Sequence, residues 1–146
     1  LTIEAKPRTV ADEQCLEGRG GLAEVRTLVE EFKNNIHGTI TGWVDSIRAM
    51  HEAGRRLVIW GSSSKATAFL STLGIKEEIA YVVDINPIRQ GTFMAGTGQE
   101  IVAPEFLRTY QPHDILVINP IYCEEVQEMI DTLDVTARIL TPQRIA

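Results

Sequence analysis

Arg56-Leu57-Val58-Ile59-Trp60-Gly61-Ser62-Ser63-Ser64-Lys65-Ala66, running on into Thr67-Ala68-Phe69-Leu70, is the stretch whose reading decides the fold. Its short apolar run contains two β-branched residues, meets a glycine and three small hydroxyl residues, and then turns into a segment of helical period. That is how the first βα unit of a parallel sheet reads. In such a unit the carboxyl end of the strand, the turn amides and the positive helix N-terminus face one crevice, where an anion or a ribose can sit without any special side chain.

Outward from this unit the pattern repeats. The helix from Lys65 to Leu73 ends at Gly74, a normal residue just past a helix end. Ile79–Asp84 is nearly all apolar, as expected of a parallel strand buried on both faces. Residues 88–100 hold three glycines and no strong period, so they read as a candidate binding loop. Glu100–Val102 is a short third strand, Pro104 opens a small helix to about Tyr110, and Asp114–Ile118 is a fourth strand ended by Asn119-Pro120. A helix over 124–133 places Val126, Met129, Ile130 and Leu133 on one face, and Ala137–Leu140 is the last strand. The class is α/β, a doubly wound and mostly parallel sheet of four to five strands, with 57–60 central between 79–83 and 114–118.

Upstream, Leu22, Val25, Val29, Phe32, Ile36, Ile40, Trp43, Ile47 and Met50 recur at steps of three and four, which predicts a helical segment over 21–53 that packs on the sheet domain of 54–146. Gly38 and Gly42 each cost about 1 kcal/mol in a helix interior, so a break near His37-Gly38-Thr39 is one reading. Residues 1–20, with Pro7, Gly18, Gly20 and many charges, read as a tail or linker.

Composition bounds the function. At 146 residues, 44% hydrophobic and 23% charged, the chain suits one core of ordinary size. A formal charge of −6 with no basic stripe argues against nucleic acid and anionic membrane surfaces. Apolar runs are too short to span a bilayer, so a soluble, cytoplasmic protein is expected. Cys15 and Cys123 have no CxxC partner and read as free thiols of a reducing compartment. The start at Leu1 rather than Met reads as a piece of a longer protein.

Familiar chemistries mostly fail against these residues. Gly61 has Lys65 four positions on and then Ala66, which is not a P-loop. Ser63 sits where a nucleophile elbow would place its serine, but Lys65 stands where the glycine should be. No His follows an acid downstream of it in the right place, so Ser63 reads as a helix cap or a ligand contact. His37, His51 and His113 are scattered, with no metal-ligand spacing. Asp84 follows Gly61 by 23 residues, near the spacing at which an acid accepts from a ribose hydroxyl; it equally starts an Asp-x-Asn-Pro turn. Only one glycine of GxGxxG is present, which argues against tightly bound NAD. Lys65 stands at the start of a helix, where the dipole gives a cation nothing, and so asks for an anion nearby.

Trp60–Ala66, Tyr81-Val82-Val83-Asp84-Ile85-Asn86-Pro87, Gln90-Gly91, Ala95-Gly96-Thr97 and Ile101–Pro104, in this order and spacing, resemble the C-terminal domain of the S-adenosylmethionine-dependent C-methyltransferases, which include enzymes acting on nucleotide-linked deoxysugars. The resemblance covers roughly residues 22–142. It implies a Rossmann-like domain that helps form the sugar-nucleotide cleft, preceded by zinc-binding and methyl-donor parts. No metal or cofactor is then expected in this piece, S-adenosylmethionine belonging to the upstream domain, which would be a partner in the same chain. A substrate-binding module would use Gly61, Ser62, Ser63, Ser64 and Lys65 for phosphate or polar groups and Asp84 and Asn86 for a ribose or sugar. Gln90, Gly91, Gly96 and Thr97 would come from the loop, and Asn119 and Tyr122 from the fourth strand's end. No catalytic residue is expected. The alternatives are a structural or homo-oligomerising domain with an empty crevice, using the 22–50 helix face as contact, and an NAD-linked oxidoreductase domain.

Overall fold

A computed structural model describes residues 21–145, so the expected tail over 1–20 and Cys15 lie outside the described residues. The chain divides into two units, residues 1–37 and 38–146. Helix α1 spans Leu22–Glu52 and supplies the described part of the first unit before opening the second. Within the first unit Val25, Leu28, Val29, Phe32 and Ile36 are exposed.

Of the two readings of 22–50, a long helix or a pair broken near Gly38, the structure has the single helix. In the second unit, Ile40, Trp43, Val44 and Met50 pack around fully buried Ile47 on the sheet core. Each such burial stabilises by about 1.5–3 kcal/mol, more than the roughly 1 kcal/mol lost at each glycine. An added Cβ at Gly42 would meet nothing within 4 Å, so nothing in the structure explains that glycine.

The second unit continues with β1 (Leu57–Trp60), α2 (Ser64–Leu73), β2 (Tyr81–Val83) and β3 (Glu100–Val102). A 3₁₀ turn over Pro104–Phe106 leads into α3 (Leu107–Tyr110), followed by β4 (Asp114–Val117) and, through a second 3₁₀ turn at Pro120–Tyr122, α4 (Cys123–Thr132). Strand β5 (Arg138–Leu140) and a last turn of helix, α5 (Pro142–Ile145), complete it. The sheet has five strands in the order β3-β2-β1-β4-β5, every pair parallel, with Ile59 opposite Val82 on one side and Leu116 on the other. The expected central strand and both its neighbours are therefore correct, and the order reverses at β1.

Alternate residues of each strand feed opposite faces, as the pleat requires. Leu57, Ile59, Val82, Ile101 and Leu116 face α1 and α2, where Trp43 and Phe69 meet with ring centroids 5.2 Å apart. Val58, Val83, Val102, Ile115 and Val117 face α3 and α4, through Leu107, Val126 and Ile130. A strand buried on both sides has to read as a continuous apolar run.

In the connection from β2 to β3, read as a candidate binding loop over 88–100, the backbone pairs with β3. Gly91 N–H donates to Ile101 O (2.8 Å), Ile101 N–H donates to Thr92 O (2.8 Å), and Phe93 forms an antiparallel bridge with Glu100. The segment thus covers the outer edge of β3, whose amides would otherwise be free to pair with another chain.

At the amino ends of the strands Asp114, 0% exposed, takes Arg55 Nε on Oδ2 (2.7 Å) and Arg138 Nε on Oδ1 (2.8 Å). This joins the entry of β1 and the start of β5 to β4. Burial pushes the Asp114 carboxyl up, but the two guanidinium bonds outweigh it and hold it below its ordinary value. Such a carboxylate stabilises fully above the unfolded value, about 3.9, and loses that contribution as pH falls through its lower folded value. Urea unfolding should therefore show a stability decline below about pH 4 that is shallower in Asp114→Asn; Asp114→Ala should cost about 1.5–3 kcal/mol at neutral pH. Gly42→Ala should raise stability by about 0.4–1 kcal/mol in the same assay, since its φ is not positive and its surroundings are open.

Candidate functional site

Strand β1 ends at Trp60 and the chain turns through Gly61 at φ 93°, a left-handed conformation that side chains other than glycine's rarely adopt. Gly61 N–H donates to Val83 O (2.7 Å), pulling the turn against β2. Ser63 is the N-cap of α2, its Oγ accepting from Ala66 N–H (3.4 Å). The capping expectation for Ser63 is thereby realised, and the amides of Ser64 and Lys65, in the first turn, have no intrahelical acceptor.

This turn forms one wall of a cleft of about 260 Å³ at the carboxyl ends of β1 and β4. Gly61, Ser63 and Lys65 line it from the first βα unit, Asp84 and Ile85 from the end of β2. Trp60, Val117 and Ile118 form its apolar floor, and Asn119, Tyr122 and Glu125 close the far side. Asn119 makes no capping bond with its side chain.

The two helix N-termini at this cleft differ in charge. Helix α4 has Glu124 and Glu125 in its first turn, which answer its own dipole. Helix α2 has no acid in its first turn and has Lys65 there instead. Among the described residues Lys65 forms none of the ion pairs.

Asp84 is engaged within the protein. Its Oδ2 accepts from Ser62 N–H (2.8 Å) and from Ser62 Oγ, and its Oδ1 accepts from Asn86 N–H (2.8 Å). Burial pushes this carboxyl up, but the Ser62 and Asn86 bonds and the charge of Arg89 outweigh it and keep it below the usual carboxylate range. The Asp-x-Asn turn is therefore built, with Asp84 in the lining of the cleft.

Of the residues expected at the site, Gly61, Ser63, Lys65, Asp84, Asn119 and Tyr122 do line the cleft together. Ser62 is buried beneath it, and Ser64 is exposed at the head of α2. The others serve the loop. Asn86 Oδ1 accepts from Ile88 N–H (3.1 Å), Gln90 Nε2 donates to Asp84 O (2.9 Å), and Gly91 guards β3. Gly96 lies beside Ser71 near the end of α2. Gln99 Nε2 in the same turn donates to Ile75 O (3.0 Å). Those contacts put Gly96 and Thr97 toward the amino ends of the strands, away from the cleft; the shared length of sequence between Gln90 and Thr97 hides the reversal of direction between them.

Trp60, Ile85, Val117, Ile118 and Glu125 line the cleft without having been singled out. The first four stand at strand ends, which the rule that ligands bind at carboxyl ends points to. Glu125 falls three residues after Tyr122, on the polar face of α4. Among the described residues no group of three metal-ligating side chains gathers, and no helix is long and apolar enough to cross a membrane.

The sequence model of the C-methyltransferase C-terminal domain matches residues 3–142. The chain belongs to this family. No curated protein sequence matches it. In this C-methyltransferase C-terminal domain two residues of the β1–α2 turn, Gly61 and Ser63, hold that wall of the cleft for different reasons. Gly61→Ala should cost about 1–3 kcal/mol, because an added Cβ meets nothing within 4 Å and the penalty is conformational. Ser63→Ala should cost about 0.5–2 kcal/mol through the lost cap. Urea denaturation of the two variants checks both values.

Proposed function

We propose that this domain binds the methyl acceptor of an S-adenosylmethionine-dependent methyltransferase, a nucleotide-linked sugar or a related anionic molecule, in the cleft between β1 and β4. The observation that carries it is the charge contrast at the cleft: Lys65 and the free amides of α2 await an anion, whereas α4 already answers its dipole with Glu124 and Glu125. A phosphate at α2 satisfies Lys65 and the amides of Ser64 and Lys65 together. Asn119, Tyr122 and Glu125, which line the far side, then meet hydroxyls farther along the ligand.

The cleft, at about 260 Å³, falls just under the range of about 300–1,000 Å³ typical of drug-sized pockets. It suits one moiety of a nucleotide-linked molecule, with the remainder reaching toward another part of the enzyme. The residues present do not fit a resident dinucleotide or methyl donor. Ser63 puts a side chain where the second glycine would admit a pyrophosphate, and Ser62 and Asn86 already occupy most of Asp84. The donor accordingly belongs to an upstream domain, and no chemical step is assigned to this chain. A reducing, cytoplasmic setting is part of this reading, supported by the free thiol of Cys123.

A second reading, a homo-oligomerising or partner-contacting role, is favoured by the exposed apolar residues Val25, Leu28, Val29, Phe32 and Ile36 of α1. It is compatible with the first, since these residues lie outside the cleft lining.

Calorimetric titration of uridine diphosphate and thymidine diphosphate into the chain tests the acceptor reading. Lys65→Ala should weaken the better ligand by roughly 1.5–3 kcal/mol, the value of a charge-assisted bond, while changing stability by no more than about 0.5 kcal/mol. Unchanged affinity in Lys65→Ala, or no binding of either diphosphate by the wild type, sinks the reading.

A further inference from the structure

We propose that Arg89 is a positioning residue for the cleft, locking the Gly61–Ser64 turn so that the first-turn amides of α2 are held in place for an anion; its role in affinity rests on the acceptor reading above. Arg89 does not line the cleft. Its Nη1 reaches from the loop after β2 to Ser62, donating to the backbone O (2.5 Å) and to Oγ (3.0 Å). Ser62, 7% exposed, is held from the other side by Asp84, which accepts from its N–H and its Oγ. The residue two positions ahead of α2 is thus gripped at its N–H, its O and its side chain at once, by two groups that come from the neighbouring strand's loop.

The base of Arg89 is itself fixed. Its N–H donates to Asn86 O (3.0 Å), and its O accepts from Thr92 N–H (3.1 Å) and Thr92 Oγ1 (2.5 Å). Gln90 Nε2 ties the same loop to Asp84 O. The guanidinium stands 3.9 Å from Asp84 Oδ2, so its charge is largely balanced within the clasp, and what it contributes to the cleft is geometry. The side chain is 49% exposed, so its removal opens no cavity in the core. Without Arg89 the bonds of Ser62 to Asp84 still form but open more readily, because local opening of the turn no longer has to release the clasp on the Ser62 carbonyl, the group that leads directly into Ser63 and the helix.

One guanidinium nitrogen makes both contacts, which sets the test. Arg89→Lys offers an ammonium that can replace that nitrogen, whereas Arg89→Met has similar reach and no donor. Amide hydrogen exchange of the full chain, read residue by residue by NMR, should accelerate at Ser62 by about tenfold in Arg89→Met, the equivalent of one charge-assisted bond, and not in Arg89→Lys. Exchange at Ile59 in the middle of β1 should be unchanged in both. Calorimetry with uridine diphosphate should show about a tenfold loss of affinity in Arg89→Met and retention in Arg89→Lys. Unaltered Ser62 exchange in Arg89→Met, equal acceleration at Ser62 and Ile59, or failure of Lys to restore Ser62 protection would each overturn the assignment. If the wild type binds no diphosphate yet the exchange pattern is as expected, the acceptor reading falls and the positioning of the turn by Arg89 stands.

Discussion

Burial of β1 on both faces and both edges is the constraint from which the rest of the structure follows. Its residues pair in parallel with β2 and β4, and its side chains alternate between a layer built on α1 and α2 and a layer built on α3 and α4. With every neighbour parallel, all carboxyl ends point to one side of the sheet. The chain leaving β1 turns toward one face and the chain leaving β4 toward the other, so a cleft opens between them. The cleft is therefore a consequence of strand order, and its lining is whatever the strand ends and helix starts supply.

The two helix starts supply opposite things. Glu124 and Glu125 answer the dipole of α4 from within its own sequence, whereas α2 has no acid in its first turn and has Lys65 there instead. This difference gives the two walls of the cleft opposite charge: Lys65 on one side and Glu125 on the other. Between them lies an apolar floor of Trp60, Val117 and Ile118.

Asp84 illustrates how one carboxylate can serve the fold and the cleft together. An acid at the end of β2 reads as a sugar contact on spacing and as a turn residue on its neighbours. The observed bonds to Ser62 and Asn86 belong to the turn. The same bonds join the β1–α2 turn to the β2 loop, however, and that junction places the amides of α2. Its low carboxyl pKa is the signature of this internal use, since three donors favour the charged form over the cost of burial.

How much was legible in the sequence follows the range of each interaction. The strands, the glycine turn, the Ser63 cap and the central place of β1 were readable, because apolar runs, periodicity and turn chemistry act over a few residues. The family resemblance pointed to the same fold from its motif order. Gly38 and Gly42 left a break in α1 open, and burial of Trp43 and Ile47 against strands distant in sequence outweighs their local cost. Gly96 and Thr97 were grouped with Gln90 and Gly91 by nearness in the chain, yet the segment between them runs back along β3 and separates them. Arg89 had no local signal at all, since its partner Ser62 lies 27 residues away. The sequence by itself determined the elements and where a turn, a cap and an unanswered cation would fall; only the tertiary structure decided which polar groups face the cleft and which are spent holding it, because hydrogen-bond pairing between separate loops depends on strand order and not on spacing along the chain.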